Sequence, residues 1–197
     1  MEALVAAMRA DDFPAEPVLL LTNRPDAGGL RGVAAQTVPT AVVDHRNFPR
    51  DRPSHEAAIL EVLRQYRADI ICLAGYMRLL TPLLVGAYAG RMLNIHPSLL
   101  PSFPGLETHE RALAAGVALH GCTVHIVTET MDEGPIVAQA AVPVLPGDTA
   151  DRLASRVLKQ EHLLYPASLS AFAAGVSGPL ADYGDALRNC PGLRARK

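Results

Sequence analysis

The chain has 197 residues, 49% of them hydrophobic and 19% charged, with a formal net charge of −2 and no tryptophan. That is enough chain to bury one sizeable core, as a globular domain does. Basic residues group only in the C-terminal run Arg194-Ala195-Arg196-Lys197, which argues against nucleic acid as the main partner, because phosphate binding needs clustered Lys and Arg.

Residues 1–10, with Leu4, Val5 and Met8 on one side, predict a helix. The opening Met1-Glu2-Ala3-Leu4-Val5 carries an acid and no basic stretch, unlike a signal peptide. Val18 to Thr22 predicts a strand that ends at the turn signal Asn23-Arg24-Pro25-Asp26-Ala27-Gly28-Gly29. The glycine pair there lacks the spacing of a dinucleotide fingerprint. Thr40 to Asp44 predicts a second strand. Ser54 to Arg67 predicts an amphipathic helix with Ser54 as N-cap. Asp69 to Gly75 is apolar, as in a strand with both faces covered. Residues 81–88 predict a short helix with Pro82 at its first position.

A strand at 91–96 and a helix near 106–115 follow. Gly121 to Thr128 has the β-branched enrichment of a strand, and Pro135 to Val144 supplies one more. Residues 149–173 predict a long helix opened by Gly147-Asp148-Thr149. Strands alternating with helices imply an α/β fold with a doubly wound, mostly parallel sheet. The expected organisation is one domain over 1–175 and a loosely ordered tail over 176–197, rich in Gly, Pro and Ala. No apolar run is long enough to span a bilayer. Cys72, Cys122 and Cys190 are odd in number and far apart, which suits a reducing compartment.

The chemistry concentrates in Asn94-Ile95-His96-Pro97-Ser98-Leu99-Leu100-Pro101. Residues two apart on a strand point the same way, so Asn94 and His96 can face one pocket. The prolines stop the strand and stiffen the loop. An amide beside an imidazole suits acyl chemistry: the amide donates to a developing oxyanion and the imidazole moves a proton. Ligands in doubly wound folds sit beyond the carboxyl ends of strands. Three polar clusters fall there: Gly75-Tyr76-Met77-Arg78, Asn94 with His96, and Asp132-Glu133-Gly134-Pro135. Taken alone, each has a plainer reading. His96 could be a structural histidine, Arg78 and Arg52 solvated charges, and Asp132-Glu133-Gly134 an ordinary turn. His125 reads equally as a core residue or as part of the site, and His109 as a cap or packing residue of the helix near 106. Cys72 and Cys122 are most simply small buried hydrophobes.

Several stretches resemble the folate-dependent phosphoribosylglycinamide (GAR) formyltransferase family. They are Leu73 to Leu80, Leu93 to His109, His120 to His125, Met131 to Ile136 and Gln160-Glu161-His162, with looser similarity back to Met1. The resemblance implies a Rossmann-like formyltransferase fold and transfer of a formyl group from 10-formyltetrahydrofolate to the amine of 5-phosphoribosylglycinamide, in purine (IMP) synthesis. His96 would transfer the proton, Asn94 would hold the formyl oxygen, and Asp132 would hold His96. Folate contacts would come from Arg52, Met77, Arg78, Leu79, Leu80, Asn94, Thr128, Glu129, Thr130, Met131 and Asp132. Gly75, Pro97 and Glu161 would meet the phosphoribosyl substrate. The family reaction needs no metal, and no ligand cluster suggests one. The expected setting is cytoplasmic. The expected partners are the two small molecules and, in a homodimer, a second copy of the chain, with no nucleic acid and no membrane. The compact length disfavours the deformylase and transfer-RNA branches of the superfamily, which carry extra domains.

Against the family pattern, the chain starts at a position matching the helix after the first strand and its glycine-rich phosphate turn. The expectation is therefore a fold lacking that first strand, with Met1 an internal methionine and the missing segment encoded upstream. Glu107 stands where the family often has His, and Leu158 where it often has Gln or Lys. Two alternatives go with this reading: a formyltetrahydrofolate hydrolase, in which water replaces the amine, and a truncated, catalytically impaired folate-binding homologue.

Overall fold

A computed structural model describes residues 1–175, which fall into two compact units, Met1–Met92 and Leu93 onward. The expected loose tail lies outside the described residues.

In the first unit, α1 (Glu2–Ala7) is shorter than its apolar pattern implies and buries Leu4 and Val5. Val5, Ala34 and Val38 form a small core, with Met1, Met8 and Leu20 packed on it. The Glu2 carboxylate accepts the Ala34 N–H at 3.0 Å, linking α1 to the second of two short 3-10 turns, Gly28–Arg31 and Ala34–Gln36. β1 (Leu20–Thr22) and β2 (Thr40–Val42) pair in parallel, Leu20 opposite Thr40. The ladder is closed by Leu20 N–H to Pro39 C=O at 2.8 Å and Val43 N–H to Thr22 C=O at 2.9 Å. A third 3-10 turn, His45–Asn47, precedes α2 (Arg52–Gln65).

Asp51, rather than Ser54, caps α2, its carboxylate accepting the Ser54 N–H at 3.1 Å. A carboxylate answers both the free N–H groups and the positive end of the helix, and Pro53 in the first turn needs no donor. β3 (Ile71–Leu73) is half-buried along its length, and its Ile71 N–H donates to the Arg91 C=O at 3.0 Å. α3 (Pro82–Ala87) starts at Thr81, as Pro82 predicts. Its N-terminus rests on buried Glu56 of α2. That carboxylate accepts the Thr81 N–H at 2.7 Å, the Thr81 hydroxyl at 2.5 Å and the Leu84 N–H at 3.2 Å.

The second unit is built on β4 (Met92–His96, from Leu93 on), β5 (Leu119–Ile126) and β6 (Ile136–Pro143). β5 pairs antiparallel with both neighbours, Asn94 facing His125, His96 facing Thr123, and Cys122 facing Ala140. Parallel pairing, as expected, is found at β1–β2, and the departure from it is β5, which makes β4, β5 and β6 an antiparallel meander. The nine residues between β5 and β6 are too few for a parallel crossover, which takes about a dozen or more. Cys122, Thr123 and Val124 at the centre of β5 have no exposed surface. α4 (Thr108–Ala114) lies in the β4–β5 connection, and α5 (Ala150–Ala173) packs on β5 and β6. Leu153, Val157, Leu164 and Ser168 bury one face of α5, and Tyr165 donates its hydroxyl to the Leu93 C=O at 3.1 Å. Among the described residues no helix is long and apolar enough to cross a membrane.

Replacing Glu56 with Ala strands three donors at the start of α3. Stability in urea should fall by about 1–3 kcal/mol, and by less for Glu56→Gln, which keeps an acceptor oxygen.

Candidate functional site

β4 presents Asn94 and His96 on one face, as their spacing predicts. The loop after it is pinned by side chains at nearly every step. Thr123 donates its hydroxyl to the Ser98 C=O at 2.7 Å and accepts the Leu100 N–H at 3.0 Å. Gln139 donates to the Leu100 C=O at 2.8 Å and to the Thr123 hydroxyl at 3.0 Å. The Ser98 hydroxyl bonds the Ser102 C=O at 2.6 Å, and the Thr108 hydroxyl bonds the Pro97 C=O at 2.7 Å.

This loop meets the β5–β6 loop at Asp132. The Asp132 backbone sits in the left-handed region, φ 58°, which Asp tolerates better than most residues. Gly134 two residues on lies so close to the Ile126 carbonyl that a Cβ would collide with it. Asp132 Oδ2 accepts the Gly105 N–H at 2.8 Å and stands 3.6 Å from His96 Nδ1. The other oxygen, Oδ1, stands 3.8 Å from His125 Nε2. His96 Nε2 lies 3.0 Å from the Phe103 C=O. Both nitrogens of buried His96 therefore face oxygens: with its proton on Nε2 the ring donates to the Phe103 C=O, and Nδ1 is left beside the Asp132 carboxylate.

His125 lies directly opposite Asn94, where β5 slips register between Val124 and His125. An irregularity of this kind re-aims a side chain. Nδ1 of His125 lies 3.2 Å from the Ile126 C=O, and its Nε2 lies 3.1 Å from the Asn94 amide nitrogen. With the proton on Nδ1, Nε2 accepts an Asn94 N–H, so the amide has its other N–H left to offer a ligand. Burial pushes the His125 pKa down, which favours that neutral ring.

His109 does not cap α4. Glu107 is the N-cap residue, with φ 55° and no capping side chain. His109 Nδ1 instead shares a hydrogen bond with His120 Nε2 at 3.1 Å. Nδ1 of His120 is buried and completes no hydrogen bond. Burial pushes the His120 pKa down to about 4.

The structure thus brings together Asn94, His96 and Asp132 among the expected residues and adds His125, Phe103 and Gly105. The pairing of Asn94 with His125 could have been inferred from two polar residues on adjacent strands. The Phe103 and Gly105 contributions are backbone groups and carry no signature in side-chain identity. Thr128, Glu129, Thr130 and Met131 form an exposed stretch before Asp132, Pro97 is half-buried in the pinned loop, and Glu161 is half-buried on α5, its pKa pushed up by burial. Arg52, Gly75, Met77, Arg78, Leu79 and Leu80 lie in the first unit. Of these, Arg52 opens α2, Gly75 has φ 69°, and Met77 is 72% exposed. Among the described residues no group of three or more His, Cys, Asp or Glu side chains is placed to hold a metal ion.

A preplaced amide, an imidazole and a carboxylate on an α/β frame form a site suited to acyl transfer. The chain belongs to the Formyl transferase family, whose model matches residues 1–169. It is 57% identical to the crystal structure of phosphoribosylglycinamide formyltransferase from Brucella melitensis, with a TM-score of 0.83 over 91% of this chain and 92% of that one. The fold is accordingly the Rossmann-like formyltransferase fold. The chain is also 39% identical to phosphoribosylglycinamide formyltransferase of Escherichia coli (strain K12), covering 89% of this chain and 82% of that protein. It is 43% identical to the trifunctional purine biosynthetic protein adenosine-3 of Bos taurus, matching 89% of this chain but spanning only 17% of that protein's length.

The depressed His120 pKa fixes a pH dependence. An unfolded histidine takes up a proton below about 6.5, whereas folded His120 resists until about 4. Its contribution to stability is therefore complete above pH 6.5 and is lost as pH falls towards 4. Urea midpoints should drop across that window, and His120→Leu should make the drop shallower.

Proposed function

We propose that the chain transfers a formyl group from 10-formyltetrahydrofolate to the amine of 5-phosphoribosylglycinamide, a step of purine synthesis in the cytoplasm, with residues 1–175 acting as one formyltransferase domain. The observation that supports this most is the convergence of Asn94, His96 and Asp132 in a chain of the formyl transferase family. The amine attacks the formyl carbon, a C–N bond forms, and the carbonyl oxygen takes on negative charge. Asn94, with one N–H held by His125, offers the other to that oxygen. A single donor of this kind is worth roughly 3–4 kcal/mol. His96 accepts the proton that the amine loses and returns it to the folate nitrogen as the old C–N bond breaks, so no proton is consumed overall. Asp132, fixed by the Gly105 N–H, places its carboxyl group beside His96 while it carries the proton.

Met131, 53% exposed next to Asp132, gives the folate an apolar surface, and Thr128 to Thr130 offer hydrogen-bonding groups beside it. Roles for Arg52 and Met77 to Leu80 towards folate, and for Gly75, Pro97 and Glu161 towards the phosphoribosyl substrate, belong to the same proposal.

A steady-state assay with both substrates tests it. The expected result is formyl transfer that depends on the amine. Formate released without the amine would instead indicate a hydrolase, and folate binding without turnover a binding protein. His96→Ala should keep the circular dichroism of the parent and lower kcat at least ~100-fold, the usual scale for general acid–base catalysis. A near-normal rate in that variant would overturn the assignment.

A further inference from the structure

We infer that Arg111 is a positioning residue for His96 and Asp132, acting through the backbone of residues 103–106. The inference rests on the proposed formyl transfer for its kinetic consequence, while its structural content stands independently. Two main-chain groups in this stretch hold the two ionisable side chains. The Phe103 C=O lies 3.0 Å from His96 Nε2, and the Gly105 N–H donates to Asp132 Oδ2 at 2.8 Å. Only one residue, Pro104, separates them. Any rotation of the chain between 103 and 105 therefore moves both contacts together.

The stretch is not in a conformation that its residues favour. Phe103 has φ 55°, Gly105 φ 78° and Glu107 φ 55°. Glycine accepts such values freely, whereas a bulky Phe and a Glu do so only when their surroundings hold them. The side chain that does so here is Arg111, from the last turn of the short α4. Its Nη1 donates to the Pro104 C=O, and also to the Leu106 C=O at 3.2 Å. Those are the carbonyls on either side of Gly105. Its guanidinium carbon lies 5.7 Å from the centroid of the Phe103 ring, within reach of a cation–π contact. The Arg111 N–H meanwhile donates to the Glu107 C=O at 3.0 Å, which anchors the side chain's own base in the helix.

One exposed guanidinium thus grips residues 103, 104 and 106 without touching His96 or Asp132. A planar fork with several N–H groups can serve two carbonyls and stack on a ring at once, whereas an ammonium is a point charge on a flexible stem. Arg111→Ala frees the stretch to leave the left-handed region. The Phe103 C=O then no longer fixes the His96 ring, and Gly105 no longer fixes Asp132.

Three measurements decide it. In Arg111→Ala, kcat should fall between about 10-fold and 100-fold, the scale for a small misplacement of a reacting group, while KM for folate and for the amine substrate stays within about 2-fold. Arg111→Lys should recover only part of that loss. The third is the ¹⁵N spectrum of the His96 ring in substrate-free protein, assigned by its disappearance in His96→Ala. In Arg111→Ala the two ring nitrogens should shift or broaden, with the thermal unfolding midpoint still above the assay temperature. An unchanged His96 spectrum, an Arg111→Lys variant as fast as the parent, or a loss confined to KM would each overturn the inference. If the parent chain shows no formyl transfer, the proposed function fails, and the ring spectrum alone still decides the role of Arg111.

Discussion

The buried hydroxyl of Thr123 is the point from which the site hangs. It lies at the centre of β5 with no exposed surface and gives or accepts three hydrogen bonds, to Ser98, Leu100 and Gln139. The loop after β4 cannot use a strand ladder to satisfy its backbone, so its polar groups must find partners elsewhere. Thr123 and Gln139 supply them from the sheet, and Ser98 and Thr108 continue the pattern from within the loop and α4. A loop held in this way can carry backbone groups at fixed positions, as the Phe103 carbonyl and the Gly105 N–H require.

One carboxylate lies beside two imidazoles, and their surroundings differ. His125 is buried on the sheet, its pKa is pushed down, and its free nitrogen accepts from Asn94. It is a fixed acceptor that orients an amide. His96 instead has oxygens on both sides, from Phe103 and from Asp132. The difference between the two rings follows from which atoms each one faces, since the two residues have the same intrinsic chemistry.

Much of the fold was legible along the chain. Pro82 after Thr81 marks the start of α3, the apolar rows of β5 and β6 lie close to their expected bounds, and α5 spans nearly the whole segment expected from its periodicity. The cap of α2 was misplaced by three residues because Asp51 and Ser54 are both good caps and only the path of the chain decides between them. The short 3-10 turns in the first unit escaped because three or four residues carry no periodicity. The α/β fold with parallel pairing follows from the alternation of strand and helix, and the direction of β5 is the exception: β4 and β5 run antiparallel although α4 lies between them.

At the site the same boundary holds. The residue types and their local spacing were enough to bring out Asn94 and His96, because two residues on one strand face one way whatever surrounds them. Asp132 came from family resemblance, since nothing local links it to a strand 36 residues earlier. The partners of that triad were decided only by tertiary structure. Phe103 and Gly105 act through main-chain atoms that every residue possesses, and Arg111 acts by reaching carbonyls that converge only after the loop has closed. Side-chain chemistry is written in the sequence, whereas the direction of a backbone carbonyl depends on dihedral angles set by long-range contacts.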